Sequence, residues 1–449
     1  MIWLRAFRFG ARFFVVKKEE ERKKNMKKTL KWIALVLVAL QVMLLLVACK
    51  KPAVTETAAP AQTVAAAPTE KPAEKPAEPA KTEEKPAEQP AEQPAEQPAE
   101  EDYNGKLVSE GMMPLQYAKR FTIELFKGGY RLISAGTGGY KYLVVPENMK
   151  VPEGLEEGTY ILQMPINRVY MASTGMMSLV DAIGANDRIP LVGTAKSGWY
   201  LPNVVAAMDA GTITFGGKYS EPDFELMVAN DIQLHINTTM IDSKPEILEK
   251  FEELHIPTLV EDSSKEGHPL ARVEWVKLLG VLFGMEEEAN TYFESQVKMV
   301  NDATSPSLGK TVAMGYVASD GEKCYARNGG DYYAQMLGMA GGDYVCADME
   351  PTKGGNSNMT FEEWYNKFKD ADYFFYMNFA AKFNSIDEMI AFNPLFADFK
   401  AVKEGRVWVT SADFTQSTAA IAGILQDMNT ILKSDDPSNV TTDHLIKIN

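Results

Sequence analysis

The four histidines of the chain, His235, His255, His268 and His444, stand far apart, and no serine or cysteine nucleophile motif accompanies any of them. A Gly-x-Ser-x-Gly elbow is absent and no pair of carboxylates falls in a spacing that marks acid–base work, so the sequence does not read as an enzyme. A free zinc or manganese receptor would want about three histidines and a carboxylate in one cleft, and that supply is missing. Cys324 and Cys346 lie 22 positions apart, with no Cys-x-x-Cys or zinc-ligand spacing, which leaves one disulfide or two buried thiols open. Ala135-Gly136-Thr137-Gly138-Gly139-Tyr140 has Lys141 where a dinucleotide loop needs its third glycine, and is expected as a hairpin turn. What remains are aromatic and cationic side chains on loops. Trp199 and Tyr200 lie between Gly198 and Pro202, where they either meet a ligand or pack under the loop. Arg327 precedes Asn328-Gly329-Gly330-Asp331, where it either meets a ligand or pairs with the aspartate.

The third cysteine has a context. Lys27 and Lys28 precede the apolar stretch Trp32 to Val47, whose 16 residues fall short of the roughly 20 that span a bilayer. The stretch closes on Leu46-Val47-Ala48-Cys49. Residues 1–49 are expected as a signal peptide whose end resembles a bacterial lipobox, with Cys49 lipidated and becoming the mature N-terminus; a signal anchor with an incidental cysteine is the alternative. Met26-Lys27-Lys28 fits a signal start and residues 1–25 do not, so translation is expected to begin at Met26. From 50 to 102, ten of the chain's 24 prolines and a recurring Pro-Ala-Glu-Gln give a disordered, extended, semi-rigid stalk that cannot build a core.

The whole chain has 449 residues, 46 Lys plus Arg against 61 Asp plus Glu, and a net charge of −15, with the excess of positive charge confined to residues 1–49. Nucleic acid is therefore not an expected partner. At 45% hydrophobic and 24% charged the remainder, residues 103–449, is ordinary globular chemistry and holds the function.

Short β-rich runs alternate there with helical patterns. Residues 168–171, 189–192, 232–236 and 258–260 read as strands of a first lobe, with helices over 177–183, 224–228 and 246–254. A second set follows, with strands over 311–317, 323–327, 373–377 and 407–410 and helices over 332–340, 361–368 and 418–432. Between them Val273, Val276, Leu279, Leu282 and Phe283 recur at helical spacing without a proline. The expected architecture is α/β: two α/β lobes, 103–270 and 303–449, joined by one long helix over 271–302, with a ligand cleft between the lobes.

Several stretches carry a family resemblance. They are Arg168-Val169-Tyr170 leading into Leu179-Val180-Asp181-Ala182-Ile183-Gly184 and Asp187-Arg188-Ile189, then Pro222-Asp223-Phe224-Glu225, then Ile247 to Pro257. More specific are Ser263-Ser264-Lys265-Glu266-Gly267-His268-Pro269-Leu270-Ala271-Arg272-Val273-Glu274-Trp275 and Phe399 to Trp408. In order and spacing, over nearly all of 103–449, the chain resembles the substrate-binding lipoproteins of ABC transporters that have a rigid inter-lobe helix and serve ferric-siderophore, haem and corrinoid uptake. Lys265 stands where a clostridial branch of that family has Tyr, and Ala271 where it has Gly, which bears on ligand preference rather than on fold.

The resemblance implies capture of a small molecule between lobes that rock only modestly, by loops at strand ends. On the first lobe these loops offer Thr174, Met176, Trp199, Tyr200, Lys218, Tyr219, Thr239, Met240, Ser264, Glu266 and His268. On the second they offer Tyr325, Arg327, Tyr332, Asn378 and Phe414. Aromatic walls with cations such as Arg327 and Lys218 suit an anionic ferric chelate, and equally a corrinoid; haem is the further alternative, with Met176, Met177 or His268 as conceivable iron ligands. No resident cofactor is implied. The implied partners are the membrane, through the lipid on Cys49, and an ABC permease with its ATPase, met by Glu225 and Glu362 on the outer faces of the two lobes, with the receptor itself a monomer. Acids in a first helical turn also favour the macrodipole whatever their partner.

Overall fold

The computed structural model describes residues 105–136 and 139–449, so the expected signal peptide, Cys49 and the stalk lie outside the described residues. Strands β1 (Ser109–Met112), β2 (Phe121–Phe126), β3 (Arg131–Ala135), β4 (Tyr140–Val145) and β5 (Tyr160–Gln163) form one sheet in chain order. β3 and β4 pair antiparallel, Ala135 against Tyr140, so the glycine-rich stretch is the connection of a hairpin. Alternation along β2 to β4 sends Phe121, Ile123, Ile133, Tyr142 and Val144 into the main core. The opposite face carries Phe126, Leu143 and Val145 into a small core of its own with Tyr130. Because both faces are partly covered, these strands lack the clean polar–apolar period that would reveal them in the sequence, where only their hairpin turn is legible.

The next segment runs β6 (Val169–Met171), α1 (Thr174–Ala182), β7 (Leu191–Val192), α2 (Pro202–Asp209), β8 (Thr214–Phe215), the hairpin β9 (Gly217–Lys218) and β10 (Glu221–Pro222), α3 (Phe224–Ala229), β11 (Leu234–Thr238), α4 (Pro245–Glu253) and β12 (Thr258–Glu261). Its sheet has the order β12-β11-β6-β7-β8 and is parallel throughout. The helices start where the sequence can satisfy or omit first-turn N–H groups. Ser173 and Asp223 accept from the backbone of Met176 and Leu226, and Pro202 and Pro245 open α2 and α4. The interior strand β11 buries His235 completely. Its ring lies 4.9 Å from that of Tyr170 and 4.0 Å from that of Phe251.

Residues 271–302 do not form the single expected helix. They contribute to three: α5 (Pro269–Val273), α6 (Trp275–Phe283) and α7 (Glu286–Ala303). Gly284, at φ +66°, ends α6 in a left-handed cap, a conformation that glycine adopts without a Cβ clash. A Cβ on Gly280 would come within 2.6 Å of the Ala289 Cβ, so α7 packs closely on α6. All nine residues of α6 are buried, and the helix lies against α1 of the first lobe. The crossing to the second lobe falls to α7, 18 residues long. An uninterrupted apolar period cannot by itself distinguish one helix from consecutive helices, because a glycine stop leaves the period nearly in phase.

The second lobe comprises β13 (Lys310–Val317), β14 (Cys324–Arg327), α8 (Tyr332–Met339), β15 (Gly342–Tyr344), β16 (Asn356–Met359), α9 (Phe361–Phe368), β17 (Tyr373–Tyr376), α10 (Ile386–Phe392), α11 (Lys400–Lys403), β18 (Val407–Thr410), α12 (Ile421–Lys433) and β19 (Leu445–Lys447). The sheet order is β16-β14-β13-β17-β18-β19, with β15 also paired to β13. α12 packs on α7, which fastens the lobe to the connector. Cys324 and Cys346 are both free and buried, so of the two alternatives the structure holds the pair of thiols. Burial pushes them up to about 12 and about 11, far from thiolate chemistry. Among the described residues no helix is long and apolar enough to cross a membrane.

Candidate functional site

A cavity of about 750 Å³ opens between the lobes, within the size range of small-molecule sites. The first lobe and its connector line it with Arg120, Ser264, Lys265 and Arg272, the second lobe with Arg327, Asp331, Tyr332, Tyr333, Thr352 to Gly355, Phe379, Phe414, Thr415, Ser417, Thr418 and Ile421. Five cations therefore face one carboxylate, and four aromatic rings complete the walls.

Arg272, on α5, places its guanidinium 4.2 Å from the centre of the Tyr332 ring and reaches Thr418 Oγ1 with Nη2 at 3.4 Å. Its Nε is buried without a protein partner. Arg327 ends β14, 4.8 Å from the Tyr333 ring centre and 3.7 Å from the Asp331 carboxylate. Burial raises the Tyr332 and Tyr333 phenols above the ordinary tyrosine value, against the pull of the two guanidiniums, so both stay protonated at neutral pH.

Asp331 does three things at once. Its carboxylate accepts from the Tyr333 N–H at 3.0 Å, which caps α8, and from the Gly355 N–H at 2.8 Å, besides facing Arg327. Asn328 adds bonds to Gly354 and Ser357. Gly329 has to be glycine, since a Cβ there would sit 1.9 Å from the Ala347 carbonyl oxygen. The Asn-Gly-Gly-Asp turn thereby latches the loop that carries Thr352 to Gly355 and fixes one wall.

A second tie lies beside the cavity. Tyr200 donates its backbone N–H to Gln416 Oε1 at 3.0 Å, and Gln416 Nε2 donates to the Gly198 carbonyl at 2.6 Å. The Ala419 N–H reaches Ser178 Oγ at 3.1 Å. These bonds join the second lobe's segment 416–419 to α1 and the Trp199 loop of the first.

Of the residues expected at the ligand, the structure brings together Ser264, Arg327, Tyr332 and Phe414. The others stand apart from the lining. Met176 and Trp199 are buried in the core, Trp199 donating to the Thr194 carbonyl, while Thr174 lies half-buried at the start of α1. Lys218 and Tyr219 lie on the β9–β10 hairpin, and Thr239 and Met240 follow β11. Tyr200 is exposed. Glu266 is buried and accepts from the backbone of Lys119 and Arg120. His268 caps α5 by accepting from the Leu270 N–H and stacks on Tyr117 at 4.6 Å. Tyr325 stacks on Tyr316, and Asn378 is bonded within its own loop to Phe383. Glu225 and Glu362 are exposed in the first turns of α3 and α9.

Sequence reasoning missed Arg120, Arg272, Lys353, Tyr333 and Phe379. Tyr333 and Phe379 each adjoin an expected residue, Tyr332 and Asn378, so a one-residue allowance would have found them. Arg120 carries no local signal at all.

Two α/β lobes on a helical connector, with a cationic and aromatic cavity between them, define a two-lobed solute-binding protein. The periplasmic binding protein family matches residues 170–414, and the chain belongs to that family. The match begins inside β6, leaving the N-terminal sheet outside it. Two uncharacterized lipoproteins of Methanocaldococcus jannaschii are similar: one is 27% identical over 365 residues, covering 75% of this chain and 85% of the relative, the other 25% identical over 318 residues, covering 68% and 78%. Similar solved structures include a periplasmic heme-binding protein from Pseudomonas aeruginosa, at 15% identity and TM-score 0.48, covering 63% of this chain and 98% of that one. A petrobactin-binding protein from Bacillus subtilis is 16% identical at TM-score 0.48, covering 60% and 93%. A possible iron-binding protein from Staphylococcus epidermidis is 16% identical at TM-score 0.47, covering 60% and 98%.

Proposed function

We propose that the protein is the lipid-anchored, extracytoplasmic receptor of an ABC importer, capturing an anionic iron chelate of the ferric-siderophore kind and passing it to the permease. The observation that carries the ligand class is Arg272. A guanidinium stays charged at any physiological pH, and here it lines the cavity, half-buried against Tyr332, with an Nε that makes no hydrogen bond within the protein. A guanidinium at the wall of such a cavity can give a ligand oxygen a charge-assisted hydrogen bond. Arg120, Lys265, Arg327 and Lys353 extend the positive field, and Tyr332, Tyr333, Phe379 and Phe414 offer flat apolar surface to a chelate. Among the described residues no three His, Cys, Asp or Glu gather into a metal-ligand cluster, which favours a metal that arrives already chelated over a free ion.

Anchoring through Cys49 rests on the sequence and agrees with the lipoprotein character of the two archaeal relatives. Glu225 and Glu362 are the proposed permease contacts, and the receptor acts as a monomer.

The test is quenching of tryptophan fluorescence by a panel of ferric tris-catecholate, ferric citrate, haemin and cyanocobalamin. Submicromolar binding of a ferric chelate with no response to the other two supports the reading; selective binding of haemin or cobalamin replaces it with a haem or corrinoid receptor. In cells, Glu225→Arg with Glu362→Arg is expected to abolish uptake at unchanged affinity, and normal uptake would remove the docking assignment.

A further inference from the structure

Residues 116–120, between β1 and β2, adopt neither helix nor strand, yet their five backbone N–H groups are all satisfied, by two carboxylates. Glu274 accepts from Gln116 at 2.8 Å, Tyr117 at 2.7 Å and Ala118 at 2.8 Å. Glu266 accepts from Lys119 at 3.0 Å and Arg120 at 3.1 Å. Both acids are buried, Glu274 completely. Glu274 also pairs with the buried Lys277 at 2.9 Å, and Trp275 Nε1 lies 3.4 Å from Glu266. Side chains pin the same segment. The Tyr117 ring stacks on His268 at 4.6 Å and meets Phe293 edge-on at 6.2 Å, while Gln116 Nε2 donates to Glu294 at 2.8 Å. At the end of the strap Arg120 emerges into the cavity wall, its Nη1 2.7 Å from Asp262.

Buried carboxylates are costly unless hydrogen-bonded, and successive N–H groups aimed at one oxygen pair form a ready anion seat. Here the anions belong to the protein. Glu266 lies in the loop before α5 and Glu274 at the junction of α5 and α6, so the strap is held by the start of the connector. We propose that Glu266 and Glu274 are positioning residues of the binding site: they hold the strap 116–120 and thereby place Arg120 at the cavity. The inference rests on the cavity being the ligand site. It assigns Glu266 and His268, both expected at the ligand, to holding the element that carries a cation to it.

The test uses the whole chain. Backbone amide exchange is measured across 116–120 in the wild type, Glu266→Ala and Glu266→Gln, together with the affinity of each and of Arg120→Ala for ferric tris-catecholate. The wild-type amides should be protected, and Glu266→Ala should speed exchange at 119–120 by tenfold or more. It should also weaken the probe about as much as Arg120→Ala does, on the order of fivefold, with the double variant no weaker than Arg120→Ala alone. Glu266→Gln, which keeps an acceptor oxygen, should recover most of both. Unchanged affinity in Glu266→Ala, or additive losses in the double variant, would overturn the positioning role. Unprotected wild-type amides would overturn the strap whatever the probe does. If the wild type binds no ferric probe at all, the reading of the cavity falls and Arg120's role with it, while the exchange data still decide the strap.

Discussion

The first-lobe wall of the cavity joins Arg120 to the stretch Ser264 to Arg272, about 150 positions further along the chain, whereas the second-lobe wall is assembled from four short runs whose hydrogen bonds to one another lie within the same lobe. Arg327 to Tyr333 form one turn and helix start, the loop from Thr352 to Gly355 is latched to that turn by Asp331 and Asn328, and Phe414 to Ile421 are one run. The two walls also differ in chemistry. The first lobe supplies three cations and one hydroxyl, while the second supplies all four aromatic rings, two cations and the acid. The division suggests a clamp in which one side offers charge and the other shape. Arg120, recruited from a distant segment, depends on supports outside its own stretch, whereas the Asn-Gly-Gly-Asp turn carries its own bracing in Asp331.

Substitutions separate the two walls, and the largest effect is expected away from both. Trp199→Ala should cost about 3–5 kcal/mol of stability, because the indole fills the first-lobe core, with affinity in the surviving folded protein within about twofold of wild type. A loss of affinity at constant stability, read by calorimetry and fluorescence together, would extend the first-lobe wall to that loop.

Acid should strike the first lobe through His235. Burial lowers this imidazole from its ordinary 6.5 to about 3. The folded state therefore refuses a proton that the unfolded chain accepts below pH 6.5, and stability falls as the pH drops from 6.5 towards 3 by on the order of a few kcal/mol. Urea midpoints at pH 7 and pH 4.5 should differ in the wild type and differ less in His235→Phe; equal slopes in both would remove His235 as the cause.

Next, Arg272→Met should weaken a bound ferric tris-catecholate by about 2 kcal/mol, roughly thirtyfold, since it deletes a charge-assisted contact. Arg327→Ala on the opposite wall should cost about tenfold, and equal losses on both sides would erase the asymmetry. The smallest effect belongs to the rim. Lys265→Ala and Lys353→Ala should each cost about threefold at low salt and almost nothing at 0.5 M, because exposed charges steer association and are screened. Salt-independent losses would place these lysines in direct contact with the ligand.

The two walls were also unequally legible in the sequence. Arg327, Tyr332 and Phe414 could be singled out because strand ends, an Asn-Gly-Gly-Asp turn and flanking aromatics mark them within a few residues. On the other side, only Ser264 among eleven expected residues reached the lining. Trp199 and Met176 look like ligand contacts by type, but type does not reveal which way a loop or first turn faces, and here both side chains turn into the core. Glu266 and His268 lie in the most specific stretch of the chain and are engaged with the strap instead. Four strands of the parallel sheet and four of the second lobe lie within two residues of their expected ends, since continuous β-branched and aromatic runs mark buried strands, whereas the short or edge strands β8, β15, β16 and β19 were not expected. Nor was the N-terminal sheet, because partial burial on both faces blurs its period.

The two-lobed α/β class, eight of the strands, the excess of acid over base and the absence of a nucleophile or metal motif could be read from composition, local propensity and spacing. Tertiary structure alone decided that residues 269–303 fold as three helices, that both cysteines remain thiols, and that Arg120 and Arg272 share a cavity with Arg327. Local patterning constrains neighbours along the chain, whereas a binding site is made by residues that meet only when distant segments close on one another, and the carboxylates that hold Arg120 in place are 146 and 154 positions from it in sequence.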